Sequence, residues 1–145
     1  MPTAPASKLR VVLDTNVYFS AVTHHRGPPF RIWQEAINRS FILLASPPIL
    51  REIAGVLRED LHWREEDIVA HLKLVARVAG IVSPKIALRI IAEDPTDDRI
   101  LECALAGAAD LIVSGDRHLR KLKSFRNIGI VRPSDFLRTL GPLAS

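Results

Sequence analysis

Cysteine is almost missing from this chain: Cys103 is the only one in 145 residues. A single thiol excludes an internal disulfide framework and a cysteine-ligated zinc site, and such usage fits a reducing interior such as a cytoplasm. No stretch approaches ~18 uninterrupted apolar residues, so no membrane span is expected. The start, Met1 to Ser7, lacks the basic opening and apolar core of a secretory leader, and residues 1–7 are expected to form a flexible tail. Aromatic residues make up only 6% of the chain.

What is present is an ordinary globular composition, 48% hydrophobic. The length suits one domain, expected over residues 8–145. Lys and Arg total 20 against 16 Asp and Glu, a formal charge of +4 with a pI near 9.7. That surplus favours an anionic partner such as nucleic acid.

Short β-branched or apolar runs at Leu9–Leu13, Phe41–Ala45, Ile81–Val82, Leu111–Val113 and Ile128–Val131 read as strands buried on both faces. Helical periodicity lies between them. Phe30 to Ile37 places Phe30, Trp33 and Ile37 on one face. Ser46 is positioned to cap a helix from Pro47 to about Arg58, with Ile49, Ile53, Val56 and Leu57 as its buried stripe. Glu65 to Ala79 forms another, with acids at its positive end and Gly80 as its stop. Thr96 is expected to cap a helix from about Asp97 to Gly107, and Ser134 to Leu140 closes the chain. Strands alternating with helices imply right-handed crossovers and a mostly parallel sheet covered on both faces.

Two of these strands end alike. Val11-Val12-Leu13 runs into Asp14, and Leu111-Ile112-Val113 runs through Ser114-Gly115 into Asp116. In open parallel sheets ligands bind at the carboxyl ends of the strands, beside the topological switch point, so both aspartates point there. An aspartate in either place also suits a helix cap. Asp97 and Asp98 open the helix that leads into the Leu111 strand. The macrodipole explains one acid there, but less well the four of Glu93, Asp94, Asp97 and Asp98. Glu52 borders the apolar stripe of its helix, and spacing alone leaves a sheet-edge and a solvated position equally open.

Carboxylates that converge repel one another unless a cation joins them. An oxygen-only ligand set selects Mg²⁺ or Mn²⁺ over zinc, one ion or two. His24, His25, His62 and His71 have no ligand spacing and read as surface or packing residues; His118 is the one histidine close in sequence to Asp116. Arg117, Arg120, Lys121, Lys123 and Arg126 follow Asp116, and such cations offset repulsion between carboxylates and substrate phosphates. Arg117, Arg120 and Lys121 are the candidate substrate contacts. No aromatic residue interleaves with the run except Phe125 at its end, so base stacking is not an evident means of recognition. Trp33, Trp63 and Cys103 are explained by packing.

Leu13-Asp14-Thr15-Asn16, Glu52, the run from Asp94 to Ala106 and the run from Ala109 to Asp116 together resemble the PIN-domain nucleases, most closely the branch of toxins from bacterial toxin–antitoxin pairs. The resemblance covers Leu9 to about Leu140. It implies a three-layer α/β/α sandwich with a mostly parallel central sheet, and a Mg²⁺- or Mn²⁺-dependent endoribonuclease. Asp14 and Asp116 then match the first and last metal-site acids, Glu52 the helix glutamate, and Asn16 and Ser114 small polar supports. Either Asp97 or Asp98 matches the third acid. The resemblance further implies RNA as substrate, a homodimer, and inhibition by a small antitoxin.

Two other readings fit parts of this pattern. One is a non-catalytic RNA- or protein-binding module on the same fold. The other is phosphotransfer through an aspartyl nucleophile. Haloacid-dehalogenase-type phosphatases carry a second aspartate where this chain has Asn16, and receiver-like domains carry an acidic pair where it has Thr15-Asn16. Both comparisons weigh against phosphotransfer.

Overall fold

The computed structural model describes residues 8–89 and 95–141. The tail expected over residues 1–7, the end of the chain after residue 141, and Glu93 and Asp94 lie outside the described residues. Strand β1 (Arg10–Leu13) enters helix α1 (Thr15–Thr23), then α2 (Pro28–Ile37), β2 (Ile42–Ala45), α3 (Pro47–Glu59), α4 (Glu65–Val78) and β3 (Gly80–Ile81). After these come α5 (Pro95–Ala106), β4 (Leu111–Val113), α6 (Arg117–Arg120), β5 (Ser124–Phe125), β6 (Ile128–Val131) and α7 (Pro133–Leu140).

The six strands form one sheet in the order β3-β2-β1-β4-β6-β5. All pairings are parallel except β5 with β6. The chain walks outward from β1 through β2 to β3, then returns to the other side of β1 for β4. That reversal makes the β1/β4 boundary the switch point, and it opens a crevice at the carboxyl ends of both strands.

Side-chain alternation divides the layers. Phe41, just before β2, meets Phe136 of α7 edge to face at 5.0 Å. Leu44, of opposite parity, faces α5: a β-carbon added at Gly107, just past that helix, would sit 2.8 Å from Leu44 Cδ1. Helices therefore cover both faces, giving the three-layer α/β/α sandwich. β1, β2 and β4 are interior strands, and Val11, Val12, Ile112 and Val113 have no exposed surface. Arg10 ties the start of β1 to the end of α5, donating from Nε and Nη2 to the Gly107 carbonyl at 3.0 and 2.8 Å.

Several boundaries differ from the sequence expectations. α2 begins at Pro28, where proline's missing N–H is harmless. Its buried face is Ile32, Trp33, Glu35 and Ala36, leaving Ile37 45% exposed. α5 begins at Pro95, so Thr96 stands inside the first turn and not ahead of it. Ala79 ends α4 and Gly80 already belongs to β3, which stops at Ile81. Helices α1 and α6 and strand β5 were not foreseen. The turn from β5 to β6 places Arg126 and Asn127 at φ 48° and 67°, a left-handed pair of the kind tight hairpins need.

Candidate metal centre

Asp14 ends β1 and caps α1 at once. Its Oδ1 accepts the Thr15 N–H at 2.7 Å, and its Oδ2 accepts the Ser114 hydroxyl at 2.6 Å. Asp116 does the same past β4: its Oδ1 accepts the His118 N–H at 2.7 Å, capping α6. The capping role and the sheet-edge role are both realised in each aspartate. A cap fixes the rotamer with one oxygen and leaves the other to point elsewhere.

Ser114 joins the two. Fully buried, it donates to Asp14 and accepts the Asp116 N–H at 2.9 Å. Asn16 reaches over the same turn, its Oδ1 taking the Gly115 N–H at 3.5 Å, near the limit of a hydrogen bond. These two small polar residues therefore lie against the acids.

The third acid comes from the opposite layer. One carboxylate oxygen each from Asp14, Asp97 and Asp116 lies within 4.8 Å of the other two. Asp14 and Asp97 are only 5% and 3% exposed. Asp98 is equally buried, yet among the described residues it is outside that triplet. Successive residues on a helix point about 100° apart, so only one of an adjacent pair faces a given point.

The triplet lines a cleft of about 260 Å³ whose lining also includes Thr15, Asn16, Phe19, Glu52, Val56 and Asp60. Glu52 and Val56 lie one turn apart on α3, and Asp60, its C-cap, continues the same row. This row explains why Val56 is only half-buried, the buried stripe being Ile49, Ile53, Ala54 and Leu57. Asp60 was not singled out from sequence, although counting in fours from Glu52 reaches it. Thr15 and Phe19 have the same spacing on α1, a helix the sequence reading missed.

The basic run is less concentrated than its sequence suggests. Arg117 and Lys121 are exposed and Arg120 is half-buried on α6, and none lines the cleft. Lys123 and Arg126 lead away from the site. The β5–β6 turn lies where the parallel strands begin, the opposite end of the sheet from the acids. There Arg126 sits 5.0 Å over the Phe125 ring. His118 contributes its backbone N–H to Asp116, and its ring does not line the cleft. His71 is held among Trp33 and Trp63, and burial lowers its pKa below the ordinary imidazole value. Burial also pushes the Cys103 thiol up to about 12, which fits an inert packing role.

The donor set suits a hard divalent cation. It offers oxygen ligands only, from carboxylates whose mutual repulsion in a buried setting a cation would relieve. No helix among the described residues is long and apolar enough to cross a membrane.

Comparison with known proteins agrees with the fold. The chain is 30% identical over 121 residues to an uncharacterised protein, MJ1680, of Methanocaldococcus jannaschii, covering 80% of this chain and 76% of that protein. Among solved structures it is similar to VapBC from Salmonella typhimurium bound to DNA, with TM-score 0.60, 18% identity, and 86% and 98% of the two chains covered. VapBC2 from Rickettsia felis, bound to a DNA fragment from their promoter, gives TM-score 0.59 with 18% identity over 86% and 98%. PAE2754 from Pyrobaculum aerophilum gives 0.58 with 17% identity over 91% and 89%. The profile of the PIN domain matches residues 10–118, and the chain belongs to the PIN-domain family.

Proposed function

We propose that this chain is a divalent-metal-dependent endoribonuclease, the toxin member of a toxin–antitoxin pair, acting in the cytoplasm. The observation that carries the reading is the convergence of Asp14, Asp97 and Asp116, from three separate elements, at the switch point of the sheet. Asp14, Asp97 and Asp116 would hold Mg²⁺ or Mn²⁺, which when bound supplies Lewis acidity toward a phosphoryl group and makes water a better nucleophile.

The chain's own residues prepare that site. Ser114 fixes Asp14 and the Asp116 backbone in one register, and the Thr15 N–H orients the other Asp14 oxygen. Glu52, which lines the same cleft, would orient water or accept a proton at the scissile bond. Arg117, Arg120 and Lys121, leaving the site on α6, offset repulsion between the acids and the phosphate backbone. The sequence resemblance to toxins supports a small antitoxin partner and a homodimer, and the likeness to the VapBC assemblies supports the first of these.

The test is cleavage of single-stranded RNA, structured RNA and DNA with Mg²⁺ or Mn²⁺, beside EDTA and Asp14→Asn controls. Metal-dependent cutting of RNA that Asp14→Asn abolishes is expected. Cutting that survives both EDTA and the substitution would overturn the assignment, and no cutting of any substrate would favour the non-catalytic binding module.

A further inference from the structure

Among the described residues Phe19 is the one ring that lines the acidic cleft, and it is not fully buried. On α1 the buried residues are Thr15, Val17, Tyr18 and Ala21. Phe19 is only half-buried, and neither it nor Val56 belongs to the hydrophobic core or to the half-buried apolar shell packed on it. Tyr18, Trp33, Trp63, Phe41 and Phe136 each meet another ring, whereas Phe19 meets none among the described residues. It borders two spaces: the acidic cleft, beside Thr15, Val56 and the carboxylates, and a small apolar gap between α1 and α3 that Tyr18, Ile53, Leu57 and His71 also line.

An apolar ring beside a set of acids is poorly matched to a phosphate. It is well matched to the flat face of a nucleobase, which every base presents regardless of sequence. Four residues, a rise of about 6 Å, separate Thr15 beside the acids from Phe19, so a base that met the ring would belong to a nucleotide close to the scissile phosphate. In a duplex that face is already covered by its neighbours, and exposing it requires unstacking.

We propose that Phe19, backed by Val56, is a stacking platform for an unpaired base flanking the scissile phosphate. The inference rests on the nuclease reading above and assigns a substrate-positioning residue to that same cleft.

The experiment compares the wild type with Phe19→Ala, Phe19→Leu and Phe19→Trp on three substrates under Mn²⁺. These are a single-stranded RNA, the same RNA with an abasic residue beside the cut, and a small diester without a base. Phe19→Ala is expected to raise KM on the intact RNA by about 5- to 150-fold, the ratio that base–aromatic stacking confers. The abasic RNA and the base-free diester should be affected little. Phe19→Trp should restore the intact RNA, and Phe19→Leu should resemble Phe19→Ala. Equal losses on all three substrates, or no loss on any, would overturn the proposal.

Binding of the same RNAs to the Asp14→Asn protein, by fluorescence anisotropy, separates the two claims. Weaker binding of the intact RNA in the Phe19→Ala background supports stacking even if the wild type cuts nothing. Unchanged binding refutes stacking even if the wild type is an active nuclease.

Discussion

Replacing Ser114 with alanine tests how the acids are held together. The Ser114 side chain has no exposed surface, donates to Asp14 Oδ2 at 2.6 Å and accepts from the Asp116 N–H at 2.9 Å. Ser114→Ala removes both contacts without adding bulk. The bond to the carboxylate is charge-assisted and worth about 1.5–3 kcal/mol, and stranding the Asp116 N–H adds on the order of 1 kcal/mol. The expected loss is about 2–4 kcal/mol. For a domain near this size, each kcal/mol lowers Tm by roughly 2–4 °C, so a fall on the order of 5–15 °C is expected. The assay is urea and thermal denaturation in EDTA, where no added cation can compensate. Mn²⁺ should then stabilise the variant less than the wild type, because the ligands are no longer preset. A variant within about 0.5 kcal/mol of wild type, with an unchanged response to Mn²⁺, would refute the bridging role.

Other expectations follow from packing and titration. Gly107→Ala places a β-carbon 2.8 Å from Leu44 Cδ1 and 3.2 Å from the Cys103 carbonyl. It should cost about 1–3 kcal/mol in urea unfolding through overpacking, and an unchanged midpoint would contradict the close approach of α5 to the sheet. Cys103, unexposed and with its pKa pushed up to about 12, should resist alkylation at pH 8 until the chain unfolds; fast labelling of the native protein would count against it. Because burial lowers the folded pKa of His71, the unfolded chain binds more protons there. Its stabilising effect is present above the ordinary imidazole value of about 6.5 and is lost as pH falls below it. The slope of urea midpoint against pH between 7.5 and 5.5 should flatten in His71→Phe, and an identical slope would exclude His71 as its source.

The strands were readable because each is a short apolar run with no competing periodicity, and their order placed Asp14 and Asp116 at one edge. β5 was not readable: Ser124-Phe125 is two residues long, and its pairing depends on a turn with two left-handed residues, neither of them glycine. Helix α1 was hidden because Thr15–Thr23, apolar on more than one face, carries no clear 3.6-residue stripe, even though Asp14 was legible as a cap. That omission concealed Thr15 and Phe19 together. Asp97 and Asp98 are indistinguishable as neighbours in sequence, and only the rotation of α5 against the sheet separates them. Glu52 was neutral on its own helix, and the row Glu52, Val56, Asp60 acquires meaning only once α3 borders a cleft. The basic run misled in a simpler way. Contiguity in sequence suggested one patch, but the chain turns down the sheet edge after Lys121 and carries Arg126 to the far end.

The most direct test of the central claim is calorimetric titration of Mn²⁺ into the wild type, Asp97→Asn and Asp98→Asn, with circular dichroism confirming that each is folded. Binding by the wild type, lost in Asp97→Asn and kept in Asp98→Asn, is the expected result, since Asp97 alone of the pair joins Asp14 and Asp116 within 4.8 Å. A wild type that binds no Mn²⁺, or a folded Asp97→Asn protein that binds it as tightly as the wild type, would contradict the metal centre described above.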